Sequence, residues 1–403
     1  MSDGGIAGEG GERHVRRKRY RGTHPRHFSE KYKEHRAAEF PKDIERILAR
    51  GATPAGTHRP ICVKEILAVL DPRPGETAVD ATLGHGGHAR AILAALAPGG
   101  RLFGFDRDAA ELARTTAAMG EGGGGAGGVA ADGGGGGWAE GGGGGAAGAR
   151  GGGGGGGADR GGSGAAGGRA SFIPVHASFS QLREVLDDAG IAGVDLVLAD
   201  LGLSSMQIDD PGRGFSFKRR GPLDMRMDRS RGVSAAEWLA GVGEAELARA
   251  IRDNADEVEA GAIARAILAR RGRLSTTRDL AEAVCAAFPA LSFDDPAMRK
   301  ILTRIFQAIR IEVNGEFRAL ASLLEALPSC LNPGGRVAIL SFHSGEERRV
   351  EAAFAAGLAS GAYASAAKEA TRPSREERNA NPRSTSARLR WAIASGERGS
   401  GSR

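Results

Sequence analysis

Residues 76–106 read ETAVDATLGHGGHARAILAALAPGGRLFGFD, and this stretch decides the fold. Residues 76–80 form a short apolar run that is typical of a buried strand. A glycine-rich turn follows, and then a helical pattern over residues 89–96, which Pro98 and the two glycines after it end. Residues 101–106 form a second buried run. A strand, a helix and another strand in this order predict a parallel sheet with helices on its faces.

The alternation of helices and strands continues along the chain. A helix is predicted over residues 108–119, and apolar runs at 172–176 and 194–200 predict two further strands on either side of a helix at 179–189. Residues 213–300 contain helical patterns and no convincing strand, which predicts an inserted helical subdomain. The remaining expected elements are helices at 61–70, 235–251, 259–270 and 306–326, a strand at 334–342 and a last, edge strand at 389–393.

The fold class is therefore expected to be α/β, interrupted by one helical unit. At 403 residues the chain is long enough for two packed units. The expected division is a basic, partly disordered extension (1–57), a first part of the α/β core (58–212), a helical substrate-recognition subdomain (213–300) and a second part of the core with a basic tail (301–403).

Two segments stand apart from this pattern. Residues 120–169 form a glycine-rich insertion that holds 30 of the 65 glycines of the chain, and such a sequence cannot bury enough apolar surface to fold. We expect a disordered loop whose deletion leaves folding intact. Residues 14–33 interleave Arg and Lys with three aromatic residues, which is compatible with a nucleic-acid-binding arm or with a solvated tail.

Composition narrows the class of protein. The formal charge of +6 and the isoelectric point near 9.5 fit a polyanionic partner without proving one. The cysteines at 62, 285 and 330 are widely spaced and form no CxxC pair, so we expect a reducing compartment and no metal site. No apolar run approaches a membrane span, and the N-terminus lacks a signal-peptide pattern. The sequence predicts a cytoplasmic protein without a membrane partner.

Polar residues follow four predicted strands at the point where each strand ends. These residues are Asp80, Asp106, His176 and Asp200. In an open parallel sheet, the carboxyl ends of the strands meet at one edge, and ligands bind in the crevice there. We therefore expect the four strand ends to converge on one binding site.

The glycine-rich turn is compatible with two kinds of cofactor. Gly84, Gly86 and Ala89 satisfy the G-x-G-x-x-G/A pattern of dinucleotide-binding enzymes, and Asp106 can accept hydrogen bonds from a ribose. The acids Asp80 and Asp200 suit a cationic sulfonium better than a pyrophosphate. This favours S-adenosylmethionine over NAD, although the turn by itself leaves NAD and a purely structural role open.

Five motifs carry a more specific resemblance. In chain order they are VDATLGHGGHARAIL (79–93), VLADLGLSSMQIDDPGRGFSFKRRGPLDMRMD (197–228), RIFQAIRIEVNGE (304–316), LNPGGRVAILSFHSGEERRV (331–350) and NPRSTSARLRWA (381–392). Together they resemble the bacterial 16S ribosomal RNA cytosine-N4 methyltransferase family over residues 58–393, apart from the glycine-rich insertion. The family pattern offers no function for that insertion or for residues 1–57.

The resemblance implies a Rossmann-like class I S-adenosylmethionine methyltransferase sheet with an inserted helical subdomain. It implies N4-methylation of a cytidine in small-subunit ribosomal RNA, with that RNA or the 30S particle as the partner. A homodimer is compatible with the sequence. The residues that the resemblance places at the cofactor are Gly86, Gly87, His88, Asp106, Phe179, Asp200 and Gln207, although a Phe after a strand, such as Phe179, is also typical of the core.

The transfer step and the target base need further residues. Asp200, Ser204 and Ser205 are the candidate catalytic residues, because the N4 amine must be oriented and must lose a proton. A base that leaves its stack needs an aromatic slot, and its flanking phosphates need cations. The candidate RNA-binding residues are Phe215, Phe217, Lys218, Arg219, Arg226 and His343. A core role for the two aromatic residues and a structural role for the histidine stay open.

Three other functions compete with this interpretation. A methyltransferase of the same fold could act on another RNA, a protein or a small molecule, and for the last two its activity would be insensitive to salt, unlike that of an RNA enzyme. An NAD-dependent oxidoreductase would bind a nicotinamide cofactor. An RNA-binding protein without catalysis would bind RNA and transfer no methyl group.

Overall fold

The chain forms one sheet of eight strands, seen in a computed structural model that describes residues 60–120, 129–130 and 168–396. The strands are β1 (Thr77–Asp80), β2 (Arg101–Asp106), β3 (Val129–Ala130), β4 (Ser171–His176), β5 (Val194–Asp200), β6 (Leu331–Ser341), β7 (Tyr363–Ala366) and β8 (Arg388–Ala394). Their order is β3-β4-β2-β1-β5-β6-β8-β7. All pairs from β3 to β6 are parallel, whereas β8 runs antiparallel to both of its neighbours.

Thirteen α-helices lie in the described ranges. They are α1 (Val63–Leu70), α2 (Gly87–Leu96), α3 (Ala109–Gly120), α4 (Leu182–Asp188), α5 (Ser205–Asp209), α6 (Ala235–Gly241), α7 (Glu244–Ala255), α8 (Ala260–Leu268), α9 (Thr277–Cys285), α10 (Pro296–Asn314), α11 (Glu316–Cys330), α12 (Ser344–Ala359) and α13 (Arg375–Ala380). Short 3-10 turns occupy Phe179–Gln181, Pro211–Arg213 and Pro382–Ser386.

Both faces of the sheet are covered, because its central strands are apolar on both sides. Along β5, Val197 joins one hydrophobic cluster, whereas Leu196 and Leu198 join another on the opposite face. Helices α4, α11 and α12 cover the first face, and α1, α2 and α3 cover the second. The chain thus has a Rossmann-like α/β fold, as predicted. The strand order reverses between β1 and β5, which places the ligand crevice at their carboxyl ends.

A third hydrophobic cluster belongs to the helical segment between β5 and β6. Helices α6 to α9 surround α10, whose Leu302, Ile305 and Ile309 are buried among them. Helix α10 begins before residue 300 and ends at Asn314, whose carbonyl accepts a hydrogen bond from Arg107, the residue after β2. The helical packing therefore continues beyond residue 300, where the sequence-based division placed the end of the subdomain, because one unbroken helix crosses that position.

Each of two predicted helices is divided into two shorter helices in the structure. The helix expected over residues 306–326 is broken at Gly315, which has φ +59° and closes α10 by donating its N–H to the Glu312 carbonyl. Only glycine adopts this left-handed conformation at little cost. The helix expected over residues 235–251 is broken at Val242 and Gly243, which are extended. In both cases a glycine interrupts an apolar periodicity that continues on either side.

The edge of the sheet also differs from the prediction. Strand β8 was expected to be the edge, but it lies between β6 and β7. The edge strand is β7, four residues that the sequence analysis did not identify. Over the ranges that the structure describes, none of the helices is both long and apolar enough to cross a membrane. The predictions for residues 1–57 and for most of the glycine-rich insertion lie outside the described residues.

Candidate active site

The glycine-rich turn between β1 and α2 opens the helix N-terminus to the crevice. Gly84 and Gly86 have φ +48° and +69°, so both occupy the left-handed region. A Cβ at Gly86 would lie 2.9 Å from Cγ2 of Thr115 on α3, too close for any side chain. The Thr115 hydroxyl also donates to the Gly84 carbonyl at 2.6 Å. The turn is therefore held in a conformation that leaves the first backbone N–H groups of α2 available to a ligand.

Asp106, at the end of β2, faces the same turn. Its two carboxylate oxygens accept the backbone N–H groups of Gly84 at 3.0 Å and Asp108 at 2.8 Å. Burial raises the pKa of Asp106 to about 7, against the lowering effect of these hydrogen bonds. These hydrogen bonds fix the carboxylate in position, but they do not offset the cost of removing its charged form from water.

Asp80 and Asp200 lie at the ends of the two central strands. Burial raises the pKa of Asp80 to about 6, and burial together with the charge of Glu346 raises that of Asp200 to about 7. His88 Nδ1 lies 3.6 Å from Asp200 Oδ2, and its Nε2 lies 2.9 Å from the Ile61 carbonyl oxygen. Burial lowers the pKa of His88, so the ring does not supply a full positive charge near pH 7.

These three acids allow a test of the expected cofactor. In the described part of the chain, no Lys or Arg side chain forms an ion pair or hydrogen bond with Asp80, Asp106 or Asp200. Asp80 is buried, and Asp106 and Asp200 are partly buried. Carboxylates that lose hydration without a cationic partner favour a positively charged ligand and disfavour a pyrophosphate. These three acids therefore fit the sulfonium and ammonium groups of S-adenosylmethionine, and they do not fit the pyrophosphate of NAD.

A narrow cleft of about 40 Å³ lies over the ends of β1 and β5. Phe179, which begins a 3-10 turn after β4, lies on one side of it, and Phe317 of α11 also lines it. Both aromatic rings come from elements that pack on the same face of the sheet. The residues that line the cleft are Thr82, Arg107, Phe179, Leu201, Gly202, Met227, Glu316, Phe317, Leu320 and Glu346.

Ser204, Ser205 and Gln207 lie at the start of α5, just beyond Asp200. Ser204 Oγ accepts the Gln207 N–H at 3.2 Å, and Gln207 Oε1 accepts the Ser204 N–H at 3.1 Å. This reciprocal capping box begins the helix. The structure thus gives Ser204 and Gln207 a helix-capping role. The catalytic role of Ser204 and Ser205 and the cofactor contact of Gln207 stay predictions.

The aromatic candidates for base stacking lie elsewhere. Phe215 is 8% exposed and belongs to the helical cluster. The Phe217 ring packs edge-on against Phe306, with 5.5 Å between ring centroids, and against Phe293 at 6.4 Å. Both rings make the contacts that a core role requires, although Phe217 is only partly buried. Stacking of a base on Phe215 or Phe217 stays a prediction.

The remaining RNA candidates have mixed surroundings. Lys218 and Arg219 are exposed. Arg226 donates to both carboxylate oxygens of Asp224, at 2.8 and 3.0 Å. His343 is the N-cap of α12, where its Nδ1 accepts the Glu346 N–H at 3.4 Å and its Nε2 lies 3.1 Å from Glu346 Oε1. His343 therefore orients a carboxylate of the cleft, which fits a structural role, and its contact with RNA stays a prediction.

Two residues of the site were missed by the sequence analysis. Thr82 Oγ1 accepts the Asp200 N–H at 2.6 Å and so joins the ends of β1 and β5. Glu346 is 4% exposed, and its Oε2 accepts the Phe342 N–H at 2.8 Å. Burial acts to raise the pKa of Glu346, but the hydrogen bond and charge of His343 together hold it below the usual value. The sequence offered two signals for these residues. Thr82 is a polar residue two positions after Asp80, and Glu346 is an acid three positions after His343, which follows a predicted strand.

One group of potential metal ligands lies outside the crevice. Donor atoms of Cys62, Glu65 and Glu377 lie within 4.8 Å of one another. Burial, followed by the charge of Glu377, raises the pKa of the Cys62 thiol to about 12. Three ligand atoms near one another do not by themselves identify an ion, and we assign no metal to this group.

The Rossmann-like sheet, the glycine turn before α2 and the acid-lined crevice together define a class I S-adenosylmethionine-dependent methyltransferase. The model of the MraW methylase family matches residues 55–122 and 168–395. The chain belongs to that family. The match leaves out residues 123–167, which form most of the glycine-rich insertion.

Curated relatives agree with the family over nearly the whole chain. Ribosomal RNA small subunit methyltransferase H 1 of Lachnoclostridium phytofermentans is 39% identical over 386 residues, which is 94% of this chain and 93% of that protein. Ribosomal RNA small subunit methyltransferase H 2 of Alkaliphilus metalliredigens is 40% identical over 387 residues, covering 95% and 98%. A solved rRNA methylase from Streptococcus thermophilus aligns with 83% of this chain and 93% of its own at 11% identity, with a TM-score of 0.32.

Proposed function

We propose that the protein transfers the methyl group of S-adenosylmethionine to N4 of a cytidine in small-subunit ribosomal RNA. The names of the relatives support the small-subunit RNA as the substrate, and the ordered motifs support the cytosine N4 position. The observation that carries the proposal is the position of Asp200, whose partly buried carboxylate ends β5 beside the glycine turn, with its Oδ2 3.6 Å from Nδ1 of His88 at the start of α2. It lies at the strand end beside the expected methyl donor.

The cofactor is proposed to occupy the acid crevice. The Gly87 N–H at the start of α2 would hold it, and Gly86, whose own N–H donates to the Leu83 carbonyl, would let the backbone approach it closely. Asp106 would accept hydrogen bonds from its ribose, and Phe179 would contact its adenine. The buried His88 ring supports this site, because it lies against Asp200. When bound, S-adenosylmethionine supplies an electrophilic methyl group on a sulfonium and leaves as a neutral thioether.

Asp200 is proposed to activate the target amine. The lone pair of the cytosine N4 is conjugated with the ring, so the nitrogen is a weak nucleophile. A carboxylate that accepts a hydrogen bond from the amine orients the nitrogen and receives the proton that it must lose as its bond to the methyl carbon forms. The proton then passes to water, and one N–H bond has been replaced by one N–CH₃ bond.

The surroundings of Asp200 suit this role. A base is most effective when its pKa lies near the working pH, and burial and Glu346 raise the pKa of Asp200 to about 7. The Thr82 hydroxyl accepts the Asp200 backbone N–H at 2.6 Å, which fixes the strand end without occupying the carboxylate. Ser204 and Ser205 begin α5 a few residues further on and would assist only by positioning.

The direct test uses the protein with methyl-labelled S-adenosylmethionine and small ribosomal subunits that lack the modification. We expect label in the small-subunit RNA and N4-methylcytidine in its nucleoside digest. Label on another nucleoside would contradict the proposed chemistry but not the class. Label on a protein or on a small molecule, with none in the RNA, would contradict the substrate. Deproteinised RNA assayed beside the assembled subunit identifies the form that is recognised.

A further inference from the structure

Two stretches of the helical segment, residues 218–223 and 270–278, are hydrogen-bonded to each other on its surface. The Thr277 hydroxyl donates to the Arg219 carbonyl at 2.8 Å and accepts the Gly221 N–H at 3.2 Å, across 58 and 56 positions of the chain. The Thr277 N–H also donates to the Gly221 carbonyl at 3.0 Å, and an antiparallel bridge continues the pairing. These bonds fix the two stretches side by side, and we call the pair the basic ribbon.

The basic ribbon carries a strong excess of positive charge. Its two stretches contain seven Lys and Arg residues and no acid, and all seven residues are exposed. They are Lys218, Arg219, Arg220, Arg270, Arg271, Arg273 and Arg278. The formal net charge of the whole chain is only +6, so positive charge is concentrated at this part of the surface.

The fold neutralises only part of this charge. Glu282 of α9 lies 3.6 Å from the Arg270 guanidinium and 2.8 Å from that of Arg278. Over the ranges that the structure describes, three cations of the ribbon form neither an ion pair nor a side-chain hydrogen bond; they are Lys218, Arg220 and Arg273. These three side chains can therefore meet an anion from outside without giving up a partner within the protein.

Direct contacts connect the basic ribbon to the crevice. Gly221 has no room for a Cβ, because that atom would overlap the carbonyl oxygen of Pro211, which begins a 3-10 turn. Arg213, at the end of the same turn, donates to Asp108 Oδ2 at 2.6 Å. The Asp108 N–H in turn donates to Asp106 at 2.8 Å. The ribbon is thus joined to the strand end where the cofactor is expected.

We propose that the basic ribbon binds the phosphate backbone of the RNA beside the target nucleotide. The inference rests on the proposed function, which supplies RNA as the polyanion. The ribbon contains no aromatic residue, so it offers charge and hydrogen-bond donors but no ring on which a base could stack. Contacts of this kind position an RNA without reading its sequence. The ribbon therefore supplies affinity, and the crevice supplies the chemistry.

The double variant Lys218→Gln, Arg220→Gln provides the first test. Binding to deproteinised small-subunit RNA should weaken about 10-fold at low salt, and the slope of log K against log salt should become shallower by about 1.4 to 1.8, the value for two phosphate contacts. An unrelated RNA of the same length should lose affinity by a similar factor, because phosphate contacts do not read bases. Cofactor affinity and melting temperature should stay unchanged, since neither side chain has a partner to lose.

Two further variants complete the comparison. Arg273→Gln, in the second stretch, should weaken RNA binding about threefold and change the salt slope by about 0.7 to 0.9. The matched control is the double variant Arg101→Gln, Arg169→Gln. It removes the same charge from exposed positions where β2 and β4 begin, at the edge of the sheet opposite the crevice. RNA affinity of the control should stay within about twofold of wild type.

Equal RNA affinities and salt slopes for the wild type and the Lys218→Gln, Arg220→Gln variant would overturn the inference, and so would an equal loss in the control. Weaker binding to the assembled subunit with unchanged binding to deproteinised RNA would overturn it too, because the partner would then be a protein of the particle. The proposed function fails separately: it is wrong if the wild-type protein transfers no methyl group to small-subunit RNA, whatever the binding measurements give.

Discussion

Two groups of acids in the molecule have opposite electrostatic surroundings. In the crevice, Asp80 is buried and Asp106 and Asp200 are partly buried, none with a Lys or Arg partner among the described residues, and their pKa values are raised. In the loop of residues 224–228, the carboxylates have arginine or hydroxyl partners, and the pKa values of Asp224 and Asp228 are lowered although burial opposes this.

The difference shows how acids with the same side chain acquire different roles. A carboxylate with an arginine partner is already neutralised and serves the structure, as Asp224 does through Arg226 and Arg229. A buried carboxylate without one is costly until a cationic ligand or a proton arrives. The acids of the crevice therefore suit the proposed sulfonium and proton transfer, whereas Asp224 and Asp228 hold their own loop together. The following predictions test this contrast, from the largest expected effect to the smallest.

Asp200→Asn should lower kcat for RNA methylation at least about 100-fold, because the amide cannot take a proton from the amine. The measurement is single-turnover methyl transfer under saturating cofactor and RNA. The control is Asp188→Asn, an exposed acid at the end of α4, which should leave the rate unchanged. A rate within threefold of wild type for Asp200→Asn would show that Asp200 is not the proton acceptor, and Glu346 would then be the next carboxylate to test.

Asp106→Asn should weaken S-adenosylmethionine binding about 10-fold to 100-fold, since hydrogen bonds to a charged group contribute about 1.5–3 kcal/mol. Calorimetric titration with the cofactor measures this loss, and RNA affinity in the absence of cofactor should change little. Weaker binding of both ligands would instead indicate a folding defect. Unchanged cofactor affinity would show that the ribose lies elsewhere in the crevice.

Phe217→Leu should reduce the free energy of unfolding by about 1–2 kcal/mol, because Phe217 packs against Phe293 and Phe306 within the helical segment. Denaturant unfolding measures the loss, and kcat/KM for RNA should remain within about threefold. Lys218→Gln, at the exposed next position, should do the reverse and affect RNA affinity without affecting stability. Normal stability with a 10-fold lower kcat/KM for Phe217→Leu would support the prediction that Phe217 stacks on the target base.

Asp200 should also make the cofactor-free protein less stable as pH rises. Its pKa is about 7 when folded and near 3.8 when unfolded, so between these values the folded state binds a proton that the unfolded chain has released. Stability from this group is present at low pH and is lost as pH rises through 7. Asp200→Asn should therefore gain about 1 kcal/mol relative to wild type between pH 5 and pH 8, a value reduced by solvent screening. Thermal melts across this pH range, without cofactor, measure the difference; a constant difference would contradict it.

Much of the fold could be predicted, because it depends on local patterns. The apolar runs that became β1, β2, β4 and β5 gave the strands within one or two residues, since a strand buried on both faces is apolar throughout. The acids at the ends of these strands then had to meet, because parallel strands end at one edge. The positions of Asp106 and Asp200 in the crevice follow from this rule.

Other features could not be predicted because they depend on partners far apart in the chain. Arg213 pairs with Asp108 over 105 positions, and Arg107 reaches the Asn314 carbonyl over 207. These contacts, with those of Arg213 to residues 226 and 227, hold the loop of residues 224–228 beside the sheet. Likewise, the aromatic pattern at Phe215 and Phe217 is the same for a stacking slot and for a core, and their packing against α10 appears only in the folded chain.

The sequence by itself determined the parallel sheet, the glycine turn and the family, since strand periodicity, glycine conformation and ordered motifs are properties of the linear chain. Tertiary structure decided which charges are neutralised. Asp200 and Asp224 are indistinguishable as letters in one motif, yet the fold leaves the first without an arginine and sets two arginines of its own loop beside the second. The pKa of a carboxylate depends on burial and on the charges within a few ångströms of it, and Glu346, whose charge raises the pKa of Asp200, comes from a helix 146 positions further along the chain.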